Sequence, residues 1–174
     1  MQKSRAYRAT RVKDVSLERV LQNGPAGAVN VGLDVGKQEI YAVARWSNGT
    51  FERPWKAMNP SEVPLLVELL RKLGEQHPLK AAMESTGTYG DALRAQLSQA
   101  GLELHRVSSK GAADYAEVFD GVPSLHDGTD AAVIAELAAY GKSSPWPYHE
   151  RSEEDAELAY PCLFYDGAQG TGKK

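Results

Sequence analysis

The chain changes from irregular sequence to regular apolar segments immediately after the loop-like stretch NGPAGA. Residues 29–35 (VNVGLDV) are rich in valine, which is typical of a buried strand, and residues 40–46 (IYAVARW) predict a second strand. The dipeptide Asn48-Gly49 is a strong hairpin signal, and residues 50–58 predict the third strand. The domain is therefore expected to open with an antiparallel meander.

Helices and strands alternate through the rest of the regular region. Apolar residues recur at helical spacing after Asn59-Pro60-Ser61, a typical helix start, and continue to Gly74. Later segments predict a strand over 80–84, a helix over 89–100, a strand over 102–107, a short helix around 112–119 and a helix over 129–140. The order β-β-β-α-β-α-β-α predicts an α/β domain with a central mixed five-stranded sheet and flanking helices, and it resembles the order of an RNase H-like domain.

Two flanking segments lack this regular pattern. Residues 1–28 are basic at their start and show little periodicity, so we expect a flexible N-terminal arm. Residues 143–174 begin with a segment rich in proline, serine and acidic residues, which predicts a linker followed by an aberrant or truncated tail. The folded domain is thus expected over residues 29–142.

The composition is that of an ordinary globular chain, without a segment that could span a membrane. The 174 residues are 42% hydrophobic, and the longest apolar stretch, 131–140, is interrupted by Glu136. The single cysteine, Cys162, cannot form an internal disulfide, which fits a cytoplasmic location. The net charge of −3 argues against nucleic-acid binding by bulk charge alone, although the basic N-terminal residues could contact phosphates.

Two carboxylates lie at the ends of predicted strands. Asp34 is enclosed by apolar residues in VGLDVGK, and its burial would be costly unless it were paired or bound to a metal. Glu84 ends the strand KAAME, at the edge where open α/β sheets place their ligands. The alternatives are that Asp34 caps a turn and that Glu84 is a charge at the start of the next helix.

A second pair of carboxylates lies at the start of the last predicted helix. Asp127 and Asp130 are three residues apart, so they share one helical face with Ala131 and Ile134. This phase turns both carboxylates toward the apolar side, whereas solvated residues would lie opposite to it. The alternative is that Asp127 caps the helix and Asp130 interacts with its dipole, which explains one of the two better than both.

Together, Asp34, Glu84, Asp127 and Asp130 predict one acidic, catalytic metal site. Carboxylate oxygens are hard ligands that suit Mg²⁺ or Mn²⁺, and no His/Cys cluster has zinc spacing. Two such ions can activate an attacking oxygen and stabilise a leaving oxygen at a phosphate. The set therefore predicts phosphodiester chemistry.

Three segments around these residues resemble the N-terminal, RuvC-like domain of IS110-family (DEDD) transposases. They are GLDVGK, MESTGTYGDAL and HDGTDAAVIAE, in the family's order and at similar spacing. The resemblance covers about residues 29–142. It implies an RNase H/RuvC-like fold, DNA recombination in the transposition of an insertion sequence, Mg²⁺ dependence, and Asp34, Glu84, Asp127 and Asp130 as the catalytic tetrad. It also implies a homo-oligomer and, as a candidate partner, a structured guide RNA.

The sequence departs from the family pattern in two places. Leu125-His126 replaces the Lys-Thr pair that usually precedes the first acid of the last motif, which removes a candidate phosphate or RNA contact. The family also carries a C-terminal domain with a serine nucleophile, which this sequence lacks. We therefore expect a truncated copy that is unable to complete strand exchange alone.

Other functions remain open at the level of sequence. A free-standing RuvC-like junction nuclease would use the same carboxylates. A sugar-kinase or actin-like ATPase domain would use GLDVGK as a phosphate loop, but it leaves the Asp127/Asp130 pair unexplained. A third alternative is a non-catalytic remnant. The segment GAQGTGK nearly matches a P-loop, yet Lys174 replaces the required Ser/Thr and no helix can follow.

Overall fold

The computed structural model describes residues 8–85, 88–119 and 128–148. Every strand and helix predicted above is present, and the largest shift is in the third strand, which begins at Trp55 instead of residue 50. In chain order the elements are β1 (Thr10–Arg11), a 3-10 turn (Val12–Asp14), α1 (Leu17–Asn23), β2 (Val29–Val35), β3 (Glu39–Trp46), β4 (Trp55–Met58), α2 (Val63–Gln76), β5 (Leu79–Glu84), α3 (Asp91–Gln99), β6 (Glu103–Val107), α4 (Ser109–Ala116), α5 (Thr129–Ala139) and β7 (Ser144–Pro145).

The described strands form one mixed sheet in the order β1-β4-β3-β2-β5-β6-β7. β2, β3 and β4 make the predicted antiparallel meander, with a turn at Asn48-Gly49 in which Gly49 adopts φ 90°. β5 and β6 then add in parallel beside β2. The carboxyl ends of β2 and β5 consequently meet at the same edge of the sheet.

The N-terminal boundary of the domain needs a correction. Residues 10–23 were expected in a flexible arm, but β1 pairs with β4, and Val12 and Val20 are buried in the core. The Ser16 side chain caps α1 by accepting from the Arg19 amide at 3.4 Å. These elements are two to seven residues long, which is too short for apolar periodicity to reveal them.

The C-terminal boundary also lies further along the chain than expected. β7 pairs with β6, and the Trp146 amide donates to the Leu104 carbonyl at 2.9 Å. The Arg94 guanidinium lies 3.6 Å from the centre of the Trp146 ring. Residues 143–148 therefore belong to the domain, although their proline and serine content predicts a linker.

The larger core lies on the face of the sheet that packs against α2 and α3. Alternation along β2 points Val29, Val31 and Leu33 to this side. Within the described ranges, no helix combines the length and apolar character needed to cross a bilayer. The largest buried side chains of this core are Trp46, Leu33, Ile40, Leu66, Leu70, Leu73, Met83, Leu93 and Leu97.

The second core lies on the opposite face, beneath α4 and α5. Ala82 of β5 packs with Val133 and Ile134 of α5, and Val43 of β3 packs with Ala131. α5 contacts β2, β3 and β5, so it crosses the centre of the sheet. Asp34, Glu84 and Asp130 lie on this side of the sheet.

Candidate metal and active site

Asp34 is the penultimate residue of β2 and points to the α5 side of the sheet. Strand alternation gives it the same orientation as Gly32 and the opposite orientation to the fully buried Leu33. Its side chain is half-buried and its backbone pairs with Tyr41 of β3. The predicted strand thus holds this carboxylate against a covered face of the sheet.

Glu84 is the last residue of β5 and lies beside Asp34. Leu33 pairs with Met83 in parallel register, so the two carboxylates follow paired residues on adjacent strands. Glu84 shares the orientation of Ala82, whose side chain packs against α5. Both carboxylates therefore point to one side of the sheet, at the carboxyl ends of parallel neighbours.

Asp130 comes to these strands in the first turn of α5. The helix can approach β2 closely because residue 32 is glycine. A Cβ there would overlap the Ala131 carbonyl oxygen and lie 2.5 Å from the Ala135 nitrogen. This contact places Asp130, which is exposed and adjacent to buried Ala131, near the carboxyl end of β2.

The three carboxylates share one electrostatic environment. Burial raises the pKa of the Asp34 carboxyl, and the negative charges of Asp130 and Glu84 raise it further. Mutual repulsion of this kind is unfavourable in the folded protein. A bound cation would relieve it, so the charge arrangement fits a divalent metal.

Two cavities flank the site. Glu84 and Asp130 line a cavity of about 210 Å³ whose other walls come from α4 and α5, including Ala112 and Val133. Asp34 lines a neighbouring cavity of about 400 Å³ together with Lys37. The carboxylates are therefore accessible from two sides, one lined partly by alanines and one carrying a cationic side chain.

The donor set suits a hard cation, although the described carboxylates do not form a complete coordination sphere. Asp34, Glu84 and Asp130 offer carboxylate oxygens alone, the ligands preferred by Mg²⁺ and Mn²⁺. Within residues 8–85, 88–119 and 128–148, no three His, Cys, Asp or Glu side chains are grouped closely enough to hold one ion as they stand. Asp127, the fourth predicted ligand, lies outside the described residues.

The histidines that the structure describes have other roles. The His77 ring contacts the Gly27 carbonyl at 2.9 Å and packs against Trp46. His105 bonds to Ser143 Oγ at 2.8 Å and to Glu103 Oε2 at 2.6 Å, so both described histidines have partners within the fold.

A buried polar group that the sequence analysis missed lies beneath α5. The Arg45 Nε donates to Glu136 Oε1 at 3.0 Å, and the Tyr115 hydroxyl donates to Glu136 Oε2 at 2.6 Å. The hydrogen bond to the Glu136 carboxylate raises the pKa of Tyr115 to about 12. Glu136 interrupts an otherwise apolar helix, and this interruption is the sequence signal that could have indicated the group. We call it the Arg45–Glu136–Tyr115 network.

Comparison with known proteins gives one family and a set of similar folds. The family model described as a transposase, DEDD_Tnp_IS110, matches residues 31–166. No individually curated protein matches the sequence.

The similar solved structures include RuvC from T. thermophilus in complex with a Holliday junction substrate. It has a TM-score of 0.51 at 12% identity, and the match covers 68% of this chain and 99% of that one. A second Thermus thermophilus RuvC structure has a TM-score of 0.47 at 13% identity, with coverage of 68% and 99%. The first of these similarities confirms the RNase H/RuvC-like fold predicted from the sequence.

Proposed function

The chain belongs to the IS110 family of DEDD transposases, and on this premise we propose that Asp34, Glu84, Asp127 and Asp130 form its catalytic metal site. The domain is the RuvC-like catalytic domain of a DNA transposase. We assign to these four carboxylates the metal-dependent cleavage and joining of DNA phosphodiesters. Mg²⁺ or Mn²⁺ is the proposed ion.

One observation carries this proposal: three carboxylates from three separate elements converge on one face of the sheet. Asp34 and Glu84 end adjacent parallel strands, and Asp130 approaches from α5. Open α/β sheets bind their ligands outside the carboxyl ends of strands. The raised pKa of Asp34 supports a shared site, since it reflects burial and the charges of the other two carboxylates.

The residues around the carboxylates suit a phosphodiester substrate. A bound divalent cation would supply Lewis acidity and a lowered pKa for a coordinated oxygen nucleophile. Asp34, Glu84 and Asp130 would hold that cation through their oxygens. The alanines of α4 that line the cavity beside Glu84 keep one wall apolar, and exposed Lys37 offers a positive charge to a phosphate on the other side.

The proposed partners differ in what supports them. T. thermophilus RuvC was solved with a Holliday junction, and we propose branched DNA as a substrate for this domain as well. A structured guide RNA and a homo-oligomer are implied by the family resemblance. They can be tested by RNA binding and by the mass of the protein in solution.

A calorimetric titration with MnCl₂ tests the metal site. We expect binding by the wild-type protein, and affinity weaker by at least about 10-fold in Asp34→Asn, Glu84→Gln and Asp130→Asn, because each change removes a ligand charge. Asp127→Asn tests the fourth proposed ligand in the same way. Asp14→Asn is the matched control, since Asp14 is exposed in the 3-10 turn. Equal affinity in all of these proteins would contradict the proposed site.

A further inference from the structure

Helix α5, which carries Asp130, is buried along most of its length. Residues 131–138 are all buried, and four of them are alanine. Apolar burial is non-directional, so the alanines of this helix distinguish poorly between neighbouring positions along or about its axis. The contact with Gly32 sets how closely α5 approaches β2, and a directional contact elsewhere would fix the helix along and about its axis.

The Arg45–Glu136–Tyr115 network provides directional contacts to two other elements. Arg45 comes from β3 and Tyr115 from α4, and each bonds to a different oxygen of the Glu136 carboxylate, at 3.0 and 2.6 Å. The side chains of Arg45 and Glu136 are 12% and 11% exposed. The Arg45 guanidinium also lies 5.3 Å from the centre of the Tyr140 ring, just beyond the end of α5.

The network is rigidly connected to the candidate site. Glu136 follows Asp130 by six residues on one helix, a rise of about 9 Å at 1.5 Å per residue. α4, which Tyr115 ties to Glu136, also supplies Ala112 and Ala116 to the wall of the cavity that Glu84 and Asp130 line. A shift of α5 would therefore change the spacing of the carboxylates, and a shift of α4 would change the cavity beside Glu84 and Asp130.

We propose that Arg45, Glu136 and Tyr115 are positioning residues that fix α5, and with it Asp130, relative to Asp34 and Glu84. The inference rests on the proposed function, because it assigns these three residues to the geometry of that metal site. Buried ion pairs are weak contributors to stability compared with apolar residues of similar volume, but they can specify one arrangement over its neighbours. The network would therefore fix the position of α5 and add little to stability.

An apolar replacement separates these two contributions. In the triple variant Arg45→Met/Tyr115→Phe/Glu136→Met, the charges are replaced together, so no buried charge is left unpaired. We expect a Tm equal to or above that of the wild-type protein and an Mn²⁺ affinity weaker by about 10-fold, the lower range for loss of supporting contacts around a metal site. Wild-type affinity in a folded triple variant would overturn the inference.

Two further proteins control for folding. Tyr115→Phe removes a single hydroxyl and should also weaken Mn²⁺ binding, which keeps the inference testable if the triple variant does not fold. Val67→Ala removes buried side-chain atoms from α2 on the opposite face of the sheet. It should lower Tm and leave the affinity unchanged, whereas an equal loss of affinity in Val67→Ala would show that the effect follows stability alone and would overturn the inference.

A measurement without metal distinguishes this inference from the proposed function. Methyl nuclear Overhauser contacts from Val43 to Ala131 and Ala132 report how α5 packs on β3. We expect them to weaken in the triple variant and to persist in Val67→Ala. If the wild-type protein binds no Mn²⁺, the proposed function fails, and these contacts still decide the inference: their loss supports it and their persistence overturns it.

Discussion

Asp34 illustrates at the scale of one residue how a candidate active site opposes stability. Its carboxylate is half-buried and faces the negative charges of Asp130 and Glu84, so its pKa is raised in the folded protein. In the unfolded chain the same group ionises near its ordinary value of 3.8. The folded state therefore binds more protons than the unfolded state above that pH, and stability falls as the pH rises through this range.

The pH dependence that Asp34 imposes on stability can be tested by removing its charge. In metal-free protein, Asp34→Asn should raise Tm at pH 7, because it removes a charge that folding desolvates and places near like charges. Each 1 kcal/mol gained corresponds to about 2–4 °C in a domain of this size. The gain should shrink as the pH falls toward 3.8, where the unfolded Asp34 also becomes protonated. Circular dichroism melts of both proteins across pH 3–8 measure it, and a lowered Tm at pH 7 would contradict it.

Gly32 is the second residue that links site and stability. Gly32→Ala would place a Cβ against the backbone of α5, which cannot rotate away as a side chain can. We expect a loss of about 1–3 kcal/mol in the free energy of unfolding, the usual cost of overpacking, together with weaker Mn²⁺ binding. Urea denaturation and calorimetry measure the two effects.

Gly74→Ala is the matched control for this change. A Cβ at Gly74 would lie 3.3 Å from a methyl group of Leu102, which belongs to a flexible side chain. Gly74 is inside α2, where alanine is favoured over glycine by roughly 0.5–1 kcal/mol. Stability should therefore stay near that of the wild-type protein, and an equal loss in both variants would argue against the proposed role of Gly32.

At the scale of elements, the N-terminal helix shows where local patterns fail. α1 has seven residues; Val20 is its buried residue in the main core, and Leu17 and Leu21 pack partly buried against the same core. We predict that Val20→Ala lowers the free energy of unfolding by about 1–2 kcal/mol, as expected for deletion of buried methyl groups. Gln22→Ala, on the exposed side of the same helix, should change it by less than about 0.5 kcal/mol. Equal losses of unfolding free energy in the two variants would contradict the packing of α1 and indicate a loosely attached arm.

The longer elements could be predicted because burial imposes a period on them. β2 was predicted with the ends that the structure shows, since its valines fill a strand covered on both faces. α2 was found from the helical spacing of Val63, Leu66, Leu70 and Leu73, which are all buried in the main core. β1 and β7 have two residues each, so no period exists, and their pairing depends on strands distant in the sequence.

At the scale of the whole molecule, the net charge of −3 and the acidic site constrain how DNA can bind. Phosphates must approach carboxylates, so cationic side chains beside the site should contribute strongly. We predict that binding to a four-way DNA junction is weak and salt-dependent, and that Lys37→Gln reduces the slope of log K against log salt by about 1. Fluorescence anisotropy measures the slope.

A matched lysine variant controls for the loss of charge at Lys37. Lys13→Gln removes an exposed charge from the 3-10 turn and should leave the slope unchanged if Lys37 acts through its place beside Asp34. Binding of ATP without affinity for DNA would favour the kinase-like alternative and contradict the proposed function.

The sequence by itself determined the class of fold, the main strands and helices, and the types of residue available for a metal site. It could do so because apolar periodicity and isolated acids in apolar segments are local properties. Tertiary structure decided the rest. The approach of α5 to Gly32 and the anchoring of Glu136 by Arg45 and Tyr115 join residues that lie far apart along the chain. Such contacts depend on how elements pack, and no local pattern encodes their distances.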